Sequence, residues 1–201
     1  MTETEKSFPH RILKYIKHLN MEKHPTDNGF FVETVRSGEK VVSDNQQRLR
    51  SKRDAYTVIY YLLTSGKKMN LVHPEHDLSS EAFIPFHSNK SDIMHYYHDG
   101  WPITYIILDP LTGDVEEKTL GPKLEEGHHL HICVGGGKFK AATINVDDTN
   151  WARFDGEIPF GLVSEQVAPG FEYEDHEIYT EDKYGDIHPH VFKKYGSLVK
   201  K

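Results

Sequence analysis

Histidine, carboxylate, lysine and aromatic side chains are the groups through which this chain could do chemistry, and their spacing limits what that chemistry is. The densest cluster is His128, His129 and His131. On a strand, His129 and His131 share a face, which offers zinc or copper two ligands, but no third ligand stands at a fixed spacing. His73 and His76 lie in a polar stretch, and His188 and His190 lie near the C-terminus; both pairs are poorer versions of the same pattern. Glu33 and Arg36 stand three apart in an alternating run. A regular strand points them to opposite faces, so at most one faces an interior, and either could instead anchor a neighbouring strand or a subunit contact. Tyr60, Tyr96, Tyr97, Trp101 and Phe139 supply aromatic surface, either as core or as the walls of a cavity for a flat heterocycle. The single cysteine, Cys133, excludes an intramolecular disulfide and suits a reducing compartment. Within the apolar run 130–134 it reads as a small buried hydrophobe.

The elements that must position these groups follow from periodicity. At 201 residues, 37% hydrophobic and 27% charged, the chain fits one domain with a core large enough to need no staples. A formal charge of −7 argues against nucleic acid or an anionic membrane as partner. The one basic stretch, residues 47–53, reads as a solvated loop. No apolar segment has the length of a signal peptide or a membrane span, so a cytoplasmic protein is expected, with diffusion into the nucleus open to a chain of this size. Residues 10–21 place Ile12, Leu13, Ile16 and Leu19 at helical spacing after Pro9. Residues 24–29 (HPTDNG) are turn chemistry. Strands are expected at 30–36, 55–63, 103–108, 115–120, 129–134, 139–146, 162–167 and 178–180, with 66–82 a polar loop. One short helix followed by eight or more strands predicts an all-β sandwich or barrel of the jelly-roll type. The expected organisation is an N-terminal helix and turn (1–28), a β domain (29–180) and a C-terminal tail (181–201) that packs on the body or on a partner subunit.

Two stretches resemble the paired motifs of the cupin superfamily, G-x5-H-x-H-x3-4-E-x6-G and G-x5-P-x-G-x2-H-x3-N. In the first, His87 keeps the leading histidine, Asn89 replaces the second, Ile93 replaces the glutamate and Gly100 closes the motif. In the second, residues 135–137 are a glycine triplet, Lys140 replaces the histidine and Ile144 the asparagine. A finer resemblance runs over roughly residues 10 to 180. The run from Gly29 to Arg36 is similar to the G-[FY]-[FY]-x-E-T-x-R opening of an uncharacterised, epimerase-like cupin family. Ser91-Asp92, Leu120-Gly121, Ala141-Ala142 and the VAPGFE run at 167–172 match its later blocks. The chain departs from that family at Ser88 (usually Arg), Ile93 (usually Glu), and His95 and Phe139 (usually Trp).

The resemblance implies a cupin-type double-stranded β-helix with a short N-terminal helix, and a homodimer. In that fold the four motif positions converge on one divalent ion. Only His87 survives among them, and a catalytic metal needs about three protein ligands, so neither metal nor cofactor is expected. His87 points inward by motif position, either as a general base near neutral pH or as a satisfied core histidine. Asp92 orients it or caps a turn. Lys140, if it faces inward, puts an ammonium where the metal charge would sit and invites an anionic or carbonyl-bearing ligand. The catalytic candidates are therefore His87 and Asp92, and the ligand-binding candidates Glu33, Arg36, Tyr60, Tyr97, Phe139 and Lys140. The expected function is binding of a small planar or anionic molecule in the barrel without a catalytic metal. The alternative is a metal-independent isomerase or epimerase acting on a sugar-nucleotide-like or carbonyl substrate, for which the sequence is short of cations.

Overall fold

The structure, a computed structural model, describes residues 10–42, 52–65, 72–73, 76–77, 82–144 and 158–200. Residues 47–51 of the basic stretch, most of the polar loop 66–82 and the last two residues of the strand expected at 139–146 lie outside the described residues. Helix α1 (His10–Leu19) opens the described chain. It is followed by β1 (Glu22–Lys23), β2 (Phe30–Arg36), β3 (Lys40–Val41), β4 (Arg53–Asp54), β5 (Thr57–Thr64), β6 (Val72–His73) and β7 (His76–Asp77). Then come β8 (Phe83–Ser88), β9 (Asp92–Gly100), β10 (Ile103–Leu108), β11 (Val115–Leu120), β12 (His131–Val134), β13 (Phe139–Thr143), β14 (Phe160–Ala168) and β15 (Glu177–Ile178). Two short helices, Glu181–Tyr184 and Pro189–Tyr195, close the chain. No helix of the described residues is long and apolar enough to cross a membrane.

Two antiparallel sheets form the body, ordered β1-β2-β5-β14-β9-β12 and β11-β10-β13-β8-β15. The strand order crosses repeatedly between distant parts of the chain, as in a jelly roll. Alternation along each strand divides its residues between the space inside and the outer faces. Tyr61, Leu63, Ile103, Tyr105, Ile107, Ile132 and Val163 pack between the sheets. The outer face of the six-stranded sheet is covered by α1, whose Ile12 and Ile16 meet Phe30, Leu62, Phe160 and Leu162. The outer face of the five-stranded sheet is covered by the C-terminal segment, where Tyr179, Val191, Leu198 and Val199 meet Phe86, Ile106, Leu108 and Phe139.

Three local features differ from simple periodicity. Cys133 is exposed, because on the edge strand β12 Ile132 and Val134 take the inward positions and leave His131 and Cys133 outside. β8 and β9 carry Pro85, three histidines and two aspartates, which hid two central strands from a reading based on apolar alternation. Gly100 ends β9 at φ +92°, and a Cβ there would stand 2.2 Å from the Phe160 carbonyl oxygen, so the sharp exit into β10 needs glycine.

Candidate functional site

Between the two sheets, bordering the packed core at Tyr61 and Ile84, lies a cavity of about 130 Å³. Its walls come from β2, β5, β8, β9, β13 and β14, from the turn holding His24 and Asp27, and from the segment Phe171–His176. Two bulges decide which side chains enter it. In β2 the register shifts between Glu33 and Val35, so Glu33 and Arg36 both line the cavity, which corrects the expectation that only one could. A second shift opposite Lys140 and Ala142 falls at Pro85 in β8, so Ile84 and His87 both face inward while Phe86 packs outside. That bulge also fixes the His87 ring: Nδ1 lies 2.9 Å from the Pro85 carbonyl oxygen, to which it donates, leaving the lone pair on Nε2.

Lys140 faces inward and is almost fully buried. From the five-stranded sheet it reaches across to the other sheet, with Nζ 3.2 Å from Glu165 Oε2 and 3.0 Å from His95 Nε2. Accepting there, His95 carries its proton on Nδ1, which lies 3.4 Å from Glu165 Oε1. Burial alone would raise the Glu165 carboxyl, but Lys140 and then His95 hold it well below the usual carboxylate range. Burial, and then Lys140, lowers His95. An ammonium, a carboxylate and an imidazole thus cluster in the neighbourhood of the second motif.

At the mouth, Arg36 donates to Glu33 through Nε (3.0 Å) and Nη2 (2.8 Å) and to Asp54 through Nη1 (3.1 Å), with Glu172 3.6 Å away. These carboxylates, Glu33 first, hold the guanidinium in its charged form. Four carboxylates (Asp27, Glu33, Glu165 and Glu172) line the cavity against two fixed cations, Arg36 and Lys140.

His87 faces a second histidine. His176 lies beside it with ring centroids 5.1 Å apart and the ring planes tilted by 31°, and its Nε2 lies 3.8 Å from Asp27 Oδ2. The segment that presents His176 is tied down by Asp175, paired with Arg53 (2.9 Å) and Lys90 (3.0 Å). The turn that presents Asp27 is held by Asn28 Nδ2 donating to the Phe83 carbonyl (2.7 Å), and by the Asp27 amide donating to His24 Nδ1 (2.9 Å). Burial lowers His24 and His87, and it pushes His176 down to about 4 with His87 adding to the effect. Asp27, His87 and His176 form a group whose ligand atoms all lie within 4.8 Å of one another. The count of one surviving metal ligand therefore holds for the motif positions alone, because Asp27 and His176 arrive from outside them.

The other sequence candidates lie elsewhere. Asp92 is exposed and accepts from the Gly136 amide at 2.8 Å, capping the turn between β12 and β13 away from His87. Tyr60 packs on the outer face with the α1 cluster, edge-on to His98. Tyr97 packs on the main core with its hydroxyl donating to the Gly100 carbonyl at 2.6 Å. Phe139 is buried under the C-terminal segment, 5.0 Å from Tyr179. None of these four lines the cavity. His131 is exposed and stacks on Tyr96, while His188 and His190 contact the Pro110 and Gly113 carbonyls; among the described residues neither set forms a three-ligand group. Sequence reasoning missed Asp27, Tyr61, His95, Glu165 and His176 as site residues. For Glu165 a signal existed, a charge at the inward parity of β14 between Val163 and Val167.

The family model described as "Cupin superfamily (DUF985)" matches residues 13–179. The uncharacterized protein YML079W of Saccharomyces cerevisiae is 30% identical over 174 residues, spanning 84% of this chain and 75% of that one. Among solved structures, a hypothetical protein from Leishmania major matches with a TM-score of 0.74 at 28% identity, covering 94% of this chain and 98% of its own. Protein SO0799 from Shewanella oneidensis matches with a TM-score of 0.69 at 24% identity, covering 93% and 96%.

Proposed function

This chain belongs to the DUF985 family of the cupin superfamily, and on that premise we propose that its barrel cavity binds a small, planar, hydrogen-bonding molecule, with no metal held by the four motif positions as a set. The observation that carries this reading is a set of unpartnered polar atoms at the cavity wall. Tyr61 Oη, Asn89 Nδ2, Asp27 Oδ1 and His176 Nε2 are all buried without a hydrogen-bond partner in the protein. Leaving such a group unmet costs about 1–3 kcal/mol, so a ligand that meets several of them gains directional affinity. Phe31, Tyr61 and Phe171 supply flat apolar surface beside these atoms.

Charge selects among the ligands expected from the sequence. Four carboxylates outnumber the two cations, and both cations are already engaged, so the geometry favours a planar, uncharged molecule over an anion. The same engagement weighs against a sugar-nucleotide isomerase, whose diphosphate needs free cations. The carbonyl-substrate form of that alternative keeps one favourable observation, the unprotonated Nε2 of His87, and turnover abolished by His87→Ala would support it.

Native mass spectrometry of protein purified without chelators would reveal a co-purified organic molecule and also count subunits, which tests the homodimer that the resemblance implies. Thermal shift with neutral purine and pyrimidine bases and nicotinamide extends the search on metal-stripped protein. A ligand at a hundred times its Kd stabilises by about 2.7 kcal/mol, which raises Tm by roughly 5–10 °C for a domain of this size. Absence of both an organic adduct and any thermal shift would overturn the binding reading.

A further inference from the structure

We propose that Asp27, His87 and His176 form a site for one divalent transition-metal ion of the zinc class on the wall of the cavity. The site rests on the reading of that cavity as a binding site, and it shares only His87 with the motif positions.

Geometry comes first. The three ligand atoms lie within 4.8 Å of one another, and Asp27 Oδ2 is 3.8 Å from His176 Nε2. Zinc bonds of about 2.0–2.1 Å in tetrahedral geometry separate ligand atoms by roughly 3.3–3.4 Å, so side-chain rotations of about 1 Å or less close the set. The atoms are also ready to bind. His87 donates its Nδ1 proton to the Pro85 carbonyl, the outer contact that fixes the tautomer of a metal-ligating histidine and frees Nε2. His176 Nε2 and Asp27 Oδ1 have no hydrogen-bond partner although buried, which asks for a further group between them. His24 is excluded as a fourth ligand through Nδ1, which already accepts from the Asp27 amide.

The surroundings agree. The excess of carboxylates around the cavity favours a cation. Two nitrogens and one carboxylate suit zinc-class ions better than magnesium or calcium, which prefer oxygen ligands. Three protein ligands on a cavity wall leave a coordination position turned towards the cavity, where a nitrogen or oxygen donor of the bound molecule would complete the shell.

The test is calorimetric titration of ZnCl2 into the chelator-stripped full-length protein, with Co²⁺ as the spectroscopic substitute. One equivalent of Zn²⁺ is expected, with visible Co²⁺ bands of a four- or five-coordinate nitrogen–oxygen site. Asp27→Asn, which keeps its shape, and His176→Ala should each weaken uptake at least tenfold. Circular dichroism checks the fold of both variants, and a misfolded His176→Ala leaves Asp27→Asn to decide. No saturable uptake would overturn the proposal, as would uptake unchanged by Asp27→Asn, which would put the ion elsewhere, for example at His128–His131. Heterocycle binding measured in chelator tests the organic-ligand reading separately, so either can fail while the other stands.

Discussion

Lys140 carries a positive charge into the interior and spends it on Glu165 and His95, so the two sheets are joined by an ion pair beside the cavity floor. Removing one partner of a buried pair strands the other and typically costs about 3–5 kcal/mol, whereas replacing both with apolar groups is often near neutral. Lys140→Met should therefore lower stability by about that amount in urea denaturation, and Lys140→Met combined with Glu165→Leu should recover most of it. The pH dependence follows from Glu165. Its folded-state pKa lies below the ordinary 4.5, so its contribution is present above pH 4.5 and lost as pH falls through the folded value. In Lys140→Met, burial without the ammonium favours the protonated carboxyl, and acidification below pH 4.5 should then cost that variant less than wild type. Tyr61→Phe makes the complementary point. It removes a buried hydroxyl that has no protein partner, so unliganded stability should stay level or rise by up to about 1 kcal/mol while affinity for the bound molecule falls about tenfold. At this scale the sequence shows His87 and Lys140 through their motif positions. It conceals Asp27 and His176, because residues in turns acquire chemistry only when distant segments bring them together.

The strands show how much of the architecture periodicity can reveal. β2, β5, β10, β11, β12, β13 and β14 are legible as alternating or β-branched runs, and α1 as an amphipathic stripe. Bulges are not legible, because one extra residue leaves no compositional mark; yet the bulges in β2 and β8 are what turn Arg36 and His87 into the cavity. Two elements can be tested directly. Ile16 is nearly fully buried where α1 meets the six-stranded sheet, and Arg11 and Tyr15 both donate to Asp99. Ile16→Ala should cost about 2–5 kcal/mol in urea denaturation, while the cavity on the other side of the sheet keeps its ligand affinity. Gly100→Ala should cost about 1–3 kcal/mol or more by the same measurement, since it needs both a positive φ and a shift of the Phe160 backbone.

Both sheets bury their outer faces under chain from outside their own strands, and this arrangement governs the molecule as a whole. An open sandwich would expose Phe86, Ile106, Leu108 and Phe139 on one side; here Tyr179, Val191, Leu198 and Val199 cover them, and Lys194 and Tyr195 donate to Glu117 at the rim. Apolar area of this kind is worth about 25 cal/mol per Å² removed from water, and such a patch left open drives association. The segment also reaches the site indirectly. Phe171 and His176 line the cavity, and immediately after them β15 pairs with β8, placing Ile178 opposite His87. Truncation after Thr180 should therefore do two things at once. Size-exclusion chromatography should show higher oligomers or aggregate, with increased binding of a hydrophobic dye, and affinity at the cavity should drop because β15 loses the packing that holds His176 against His87. A truncated chain that stays monodisperse with unchanged affinity would mean that the β domain supports its site unaided, and that the C-terminal segment contributes area without positioning any residue.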